Sequence, residues 1–207
     1  MSYPVLGLVG ASGSGKTTLA CRLAAEHGFV RFHMGRPLKD MLKVLGLSEA
    51  DVAGTPERRA QPQLLLGGKS ARHALSTLGT DWGRNMITPD LWTNAVKVKI
   101  EEHLIGSPDP APIVIDDLRF PNDWAVIQHF GGRLLTIRRH SAEQSRTALD
   151  HFYYRSGLSR LLRGKGFFGW RPMHETEFHW PDAPNVAEVW NTGSIEDLVT
   201  SALVQWR

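Results

Sequence analysis

Apolar positions along this chain fall into five short runs, with stretches of helical period between them. Residues 5–9, Val-Leu-Gly-Leu-Val, are apolar throughout and bounded by Pro4 and Gly10, as expected of a strand covered on both faces. Residues 29–34, 113–115, 134–138 and 185–190 predict four further strands. Residues 18–27 contain good helix formers and stop at Gly28. Residues 35–46 place Pro37 near the first turn, Leu38, Met41, Leu42 and Leu45 in one apolar stripe, and Gly46 at the end. Further helices are predicted from Ser70 to about residue 78, over 90–104 behind Thr88-Pro89, from Asn122 to 130, and from Ser141 to about 150. A closing amphipathic helix starts at Ser194-Ile-Glu-Asp197, a capping pattern, and ends near Trp206. Strands separated by helices imply a parallel α/β sheet with right-handed crossovers.

Two stretches interrupt that rhythm, residues 36–112 after the second strand and 140–184 after the fourth. A chain of 207 residues then reads as one domain with a core of residues 1–35, 113–139 and 185–207. Inside the first insert, residues 47–69 predict a short helix from Ser48 and a loop rich in Arg, Gln and Gly. Inside the second, residues 151–181 are aromatic, basic and glycine-rich, and fit no single regular element.

The first strand–helix junction carries candidate chemistry. Gly10-Ala-Ser-Gly-Ser-Gly-Lys16-Thr17 satisfies every fixed position of G-x-x-x-x-G-K-[ST], in the strand–loop–helix context that this motif requires. Gly10, Gly13 and Gly15 let the backbone turn its N–H groups inward as a nest for phosphate oxygens. Ser12, Ser14 and Thr18 complete the loop, and the helix adds its N-terminal partial positive charge. Lys16 can reach the β- and γ-phosphates, and the Thr17 hydroxyl can ligate Mg²⁺. The expectation is a nucleoside triphosphate with Mg²⁺ on a P-loop three-layer fold.

Asp116-Asp117 follows the all-apolar run at 113–115, where such a site places its metal-associated carboxylate. Alternation from Ile113 and Ile115 aims Asp117 with them and selects it over Asp116. Arg119 at that strand end, and Arg138 and Arg139 after the fourth strand, offer planar forks that match phosphate oxygens. Arg36 and Lys39, after the second strand, lie where ligands gather in parallel sheets. An acceptor that is itself a phosphate monoester is mostly ionised at pH 7, so phosphoryl transfer to it needs positioning more than a general base.

Composition narrows the setting. The apolar share is 42% and the charged share 22%, ordinary for a globular protein, and no apolar run approaches the roughly 20 residues of a membrane span. The chain enters its first strand without a leader-like segment, and Cys21 is the one cysteine, so the expected setting is a reducing cytoplasm. The net charge is only +3, but between Arg138 and Arg171 eight Lys/Arg face Glu143 and Asp150 alone. That run could neutralise single-stranded nucleic acid; a phosphate-gripping lid is preferred. His174 and His179 are five apart, which removes the zinc-helix spacing of four.

Taken together, the chain resembles the nucleoside monophosphate kinases, more narrowly the phage-type deoxynucleoside monophosphate kinases. The resemblance rests on Gly10 to Thr17, Pro37-Leu-Lys39, Leu78-Gly-Thr-Asp-Trp-Gly-Arg84 with Pro89-Asp-Leu-Trp92, Asp117-Leu-Arg-Phe-Pro121, and His174-Glu-Thr-Glu177 followed by Asn191-Thr-Gly193. It implies a five-stranded parallel core with an acceptor-binding insert and a lid, and MgATP-dependent phosphorylation of a deoxynucleoside monophosphate. It also implies that Lys39, Arg72, Trp82, Arg84 and Asn85 line the acceptor site. Arg119, Arg138 and Arg139 would contact phosphates, and Asn191 and Thr192 would lie near the adenine. The partners expected are ATP and a nucleoside monophosphate, without membrane or nucleic acid, and at most a second copy of the chain. Two rivals remain, a P-loop kinase of another small acceptor such as dephospho-coenzyme A or a sugar acid, and an ATP-binding module acting on nucleic acid.

Overall fold

In the computed structural model the described residues are 4–11, 13–140 and 187–207. In chain order they form β1 (Val5–Val9), α1 (Lys16–Glu26), β2 (Val30–Phe32), α2 (Arg36–Val44), α3 (Glu49–Ala53), α4 (Pro56–Ala60) and a 3₁₀ turn (Leu64–Leu66). Then follow α5 (Ala71–Ser76), a π-helix (Thr77–Ile87), α6 (Leu91–Ile105), β3 (Ile113–Ile115), α7 (Pro121–His129), β4 (Arg133–Arg138), β5 (Ala187–Trp190) and α8 (Ile195–Trp206). The helix expected from Ser141 and the aromatic basic stretch lie outside the described residues. None of the described helices is long and apolar enough to cross a membrane.

The chain divides into two units, residues 1–32 with 111–207, and residues 33–110. The first holds one five-stranded sheet in the order β2-β3-β1-β4-β5, all pairs parallel. With α1, α7 and α8 flanking it, this is the three-layer α/β fold of P-loop proteins. The central strands are the most apolar because both of their faces are covered: every residue of β1 and β3 is buried. Leu19 and Leu23 of α1 pack with Leu6, Leu8, Leu135, Ile137 and Leu198 in one core cluster. Gly7 is required by contact: a Cβ there would sit 2.7–2.9 Å from Leu118, Leu134 and Ile127.

Local signals account for most ends. Ser194 Oγ accepts from Asp197 N–H at 3.2 Å and Asp197 Oδ2 accepts from Ser194 N–H at 3.1 Å, the reciprocal cap that the sequence pattern suggests. The second strand is shorter than expected, three residues in place of six. α7 starts at Pro121 rather than behind an Asn122 cap. Asp123 Oδ2 accepts the N–H groups of Arg119 (2.9 Å) and Phe120 (3.0 Å), so the carboxylate satisfies the donors ahead of the helix.

The second unit is helical. Ser48 and Thr55 cap α3 and α4, and Asp51 gathers the segment by accepting from Ser48, Arg58 and Gln63. Those bonds, Ser48's first, hold the Asp51 carboxyl below its ordinary range. On α2 the expected stripe is only partly inside: Leu42 is buried, whereas Met41 is 40% and Leu45 61% exposed. The stretch around Gly79 forms the π-helix, and the Thr88-Pro89 cap is not used. Thr88 instead ends the π-helix in extended backbone, and α6 begins at Leu91 behind Asp90.

The two glycines of this π-helix have separate uses. Trp92 Nε1 donates to Gly79 O at 2.8 Å, and the Trp92 ring fills the space above Gly83, where a Cβ would fall 2.5–2.6 Å from ring atoms. Gly83→Ala must push the buried indole aside. It is expected to destabilise the protein by about 1–3 kcal/mol, the usual cost of overpacking, read as a lower urea midpoint at unchanged slope.

Candidate active site

The site grows from the loop that leaves β1. Three of its glycines have φ values closed to most side chains, 142° at Gly10, 78° at Gly13 and 109° at Gly15. At Gly10 the neighbourhood is closed as well, since a Cβ would lie 2.3 Å from the Ile137 carbonyl on β4. Gly15 occupies the position before α1, so the first amides of that helix open toward the loop. Lys16 folds back along the loop, its Nζ donating to Gly10 O and Ala11 O, each at 2.7 Å.

A cavity of about 310 Å³ lies there, lined by Gly10, Gly13, Gly15, Lys16, Thr17, Thr18, Asp116, Asp117, Leu118, Arg119 and Arg139. All belong to the sheet-containing unit. Three cationic side chains and a glycine nest converge on a space of ligand size. Leu118 is buried and anchors the segment after β3, while Asp123 holds the Arg119 backbone. The Asp-Leu-Arg-Phe-Pro motif thus sets a carboxylate and a guanidinium at one strand end and starts α7 immediately after.

Two expectations need correction here. The carboxylate that meets Thr17 is Asp116: Thr17 Oγ1 donates to Asp116 Oδ2 at 2.7 Å, and Asp116 is only 3% exposed. Strand alternation had selected Asp117, but β3 ends at Ile115 and alternation does not govern the two residues beyond it. Asp117 is half-buried on the wall of the same cavity. Secondly, Arg138 does not line the cavity. It is the last residue of β4, registered opposite Trp190, and its Nη2 lies 2.7 Å from Glu188 Oε1 on β5. Arg139, one residue past the strand, is the one that lines the cavity.

Asn191 lies against the phosphate loop. Its Nδ2 donates to Ser14 O at 2.9 Å, and its own N–H donates to Arg138 O at 2.7 Å, tying the phosphate loop to the end of β5. Thr192 beside it is exposed, and Ser12 lies outside the described residues. Asn191→Ala removes one hydrogen bond worth about 0.5–1.5 kcal/mol. The expected result is a roughly 2- to 10-fold weaker affinity for ATP, measured by calorimetric titration. An unchanged affinity would remove the tethering role.

Arg31 of β2 went unnoticed in the sequence. It grips Asp116 with both arms of its fork, Nε to Oδ1 at 3.0 Å and Nη2 to Oδ2 at 2.7 Å. Burial lowers its pKa, but the hydrogen bond and charge of Asp116 outweigh that and raise it further. Of the residues expected at the acceptor, Trp82, Arg84 and Asn85 lie on the π-helix, Lys39 on α2 and Arg72 on α5. Trp82 is 38% exposed with its ring 6.1 Å from that of Trp92, and Arg84 donates to Pro89 O at 3.2 Å.

No protein-family model matches the chain. It is 32% identical over 143 residues to a protein of Acanthamoeba polyphaga mimivirus named "Putative deoxynucleotide monophosphate kinase", an alignment covering 65% of this chain and 74% of the viral protein. The chain belongs to the deoxynucleotide monophosphate kinase family. Solved structures similar to this P-loop kinase include a gluconokinase from Sinorhizobium meliloti 1021, at 14% identity and TM-score 0.44 over 99% of this chain and 92% of that one. A shikimate kinase from Acinetobacter baumannii matches at 12% identity and TM-score 0.44, over 98% and 92% of the two chains. The protein TT1252 from Thermus thermophilus matches at 21% identity and TM-score 0.44, over the whole of both chains.

Proposed function

We propose that this kinase transfers the γ-phosphoryl group of ATP to the 5′-phosphate of a deoxynucleoside monophosphate. The observation that carries the reading is the convergence of Lys16, Arg119 and Arg139 with the Thr17–Asp116 pair around one cavity of about 310 Å³. In the transfer, an oxygen of the acceptor phosphate forms a bond to the γ-phosphorus, and the bond to the β–γ bridging oxygen breaks. ADP leaves with that electron pair. Because the attacking oxygen is already ionised at neutral pH, none of the residues here has to remove a proton. Lys16 and the loop amides hold the β- and γ-oxygens. Arg119 and Arg139 neutralise charge on the moving group, and their forks fix its orientation.

Thr17 hydroxyl and Asp116 carboxylate are hard oxygen donors 2.7 Å apart on the cavity wall, with Asp117 alongside, and this set suits Mg²⁺. Bound there, the ion supplies charge neutralisation across the β- and γ-phosphates. Lys39, Arg72, Trp82, Arg84 and Asn85 are the residues we assign to the acceptor, on the strength of the resemblance to the family.

A coupled ADP-release assay across the four dNMPs, the NMPs, gluconate and dephospho-coenzyme A tests the reading. ADP formation that depends on a dNMP supports it. Turnover that responds only to a sugar acid or to dephospho-coenzyme A, or that ignores every acceptor, overturns it.

A further inference from the structure

Asp116 is the buried carboxylate of the site, its side chain 2% exposed, and both of its oxygens are engaged. Oδ1 accepts from Arg31 Nε, and Oδ2 accepts from Arg31 Nη2 and from Thr17 Oγ1. The Arg31 fork thus lies face-on to the carboxylate in the two-bond arrangement that fixes both its geometry and its charge. Around that neutralised pair stand Lys16, Arg119 and Arg139. A divalent ion is drawn to carboxylates with uncompensated charge and sheds its hydration shell reluctantly. Here it meets a compensated carboxylate in a cationic cavity. A polyphosphate reverses that balance, because it brings its own negative charge with the ion.

We infer that Arg31 is a positioning residue that makes metal entry depend on the nucleotide: by occupying both oxygens of Asp116 it denies the Thr17–Asp116 pair to a free divalent cation. The inference rests on reading this cavity as the metal–nucleotide site. The same contact holds Asp116 oriented toward Thr17 before nucleotide arrives. Arg31 comes from β2 and Asp116 from the end of β3, neighbouring strands in the sheet, so the grip is built into strand order.

Metal binding without nucleotide tests this on the full chain, by titrating Mn²⁺ with electron paramagnetic resonance. Parallel thermal melts compare MgCl₂ with KCl at matched ionic strength. Wild type should take up Mn²⁺ only weakly, with a melting temperature indifferent to MgCl₂. Arg31→Gln should bind Mn²⁺ at least about 10-fold more tightly, because a cation at Asp116 no longer meets a like charge a few ångströms away, and gain melting temperature on MgCl₂. Arg31→Lys, which keeps the charge but not the fork, should fall between. In Arg31→Gln/Asp116→Asn the gain should vanish, which assigns it to Asp116 rather than Asp117. Wild type and Arg31→Gln binding Mn²⁺ equally without nucleotide overturns the inference. Should Arg31→Gln not fold, Arg31→Lys decides: tighter Mn²⁺ binding than wild type supports the role, and equal binding removes it. No acceptor or ATP enters these measurements, so their failure is separate from a failure of the dNMP-dependent assay.

Discussion

Lys16→Ala is expected to cut acceptor-dependent ADP formation by at least about 10²–10³-fold, the usual loss when one donor aimed at developing charge is removed. The lysine is the one ammonium among the cavity-lining cations, and it stems from the first residue of α1, directly behind the glycine nest. Its flexible stem lets it follow an oxygen of the γ-phosphoryl group as charge redistributes, which a backbone amide cannot do. The fold should survive. What the loop loses is the pair of 2.7 Å bonds from Nζ to the carbonyls of Gly10 and Ala11. Such bonds contribute about 0.5–1.5 kcal/mol each, against which the core of β1, α1 and α8 is untouched. A thermal melt within a few degrees of wild type, beside the lost turnover, is the expected pair of results. Near-normal turnover would mean that the loop does not hold the triphosphate.

The features legible in the sequence are those whose causes are local. The glycine loop, the five apolar runs and the Ser194–Asp197 cap each depend on residues within a few positions of one another, so spacing alone reveals them. The contacts that complete the site are of another kind. Arg31 and Asp116 are 85 residues apart, and Asn191 and Ser14 are 177 apart; only the strand order 2-3-1-4-5 makes them neighbours. No periodicity reports such a pairing. Alternation picked Asp117, whereas the carboxylate that meets the Thr17 hydroxyl is Asp116. Alternation orients side chains only while the ladder continues, and β3 stops at Ile115. The π-helix was hidden because two glycines within five residues weaken any helical pattern, although Gly83 admits the Trp92 ring and a Cβ at Gly79 would fall 2.8 Å from Leu38.

The corrected carboxylate gives the second large effect. Asp116→Asn keeps the shape of the side chain but removes its charge, and is expected to lower turnover or Mg²⁺ affinity by about 10- to 100-fold, the range seen when a group that orients a metal ligand is lost. Two consequences act together. Thr17 Oγ1 loses a charged acceptor at 2.7 Å, and Arg31, itself largely enclosed, is left without the charge its fork was paired with. The second consequence also costs stability, because a partly buried guanidinium loses its bidentate charged partner. The melting temperature should therefore fall along with the rate. Asp117→Asn is the informative comparison: half-buried on the wall of the same cavity, Asp117 does not receive the Thr17 hydroxyl bond that fixes Asp116. Turnover measured against Mg²⁺ concentration separates the two, with the larger displacement expected for Asp116→Asn. The reverse ranking would return the metal role to Asp117 and leave the Arg31–Asp116 pair a structural one.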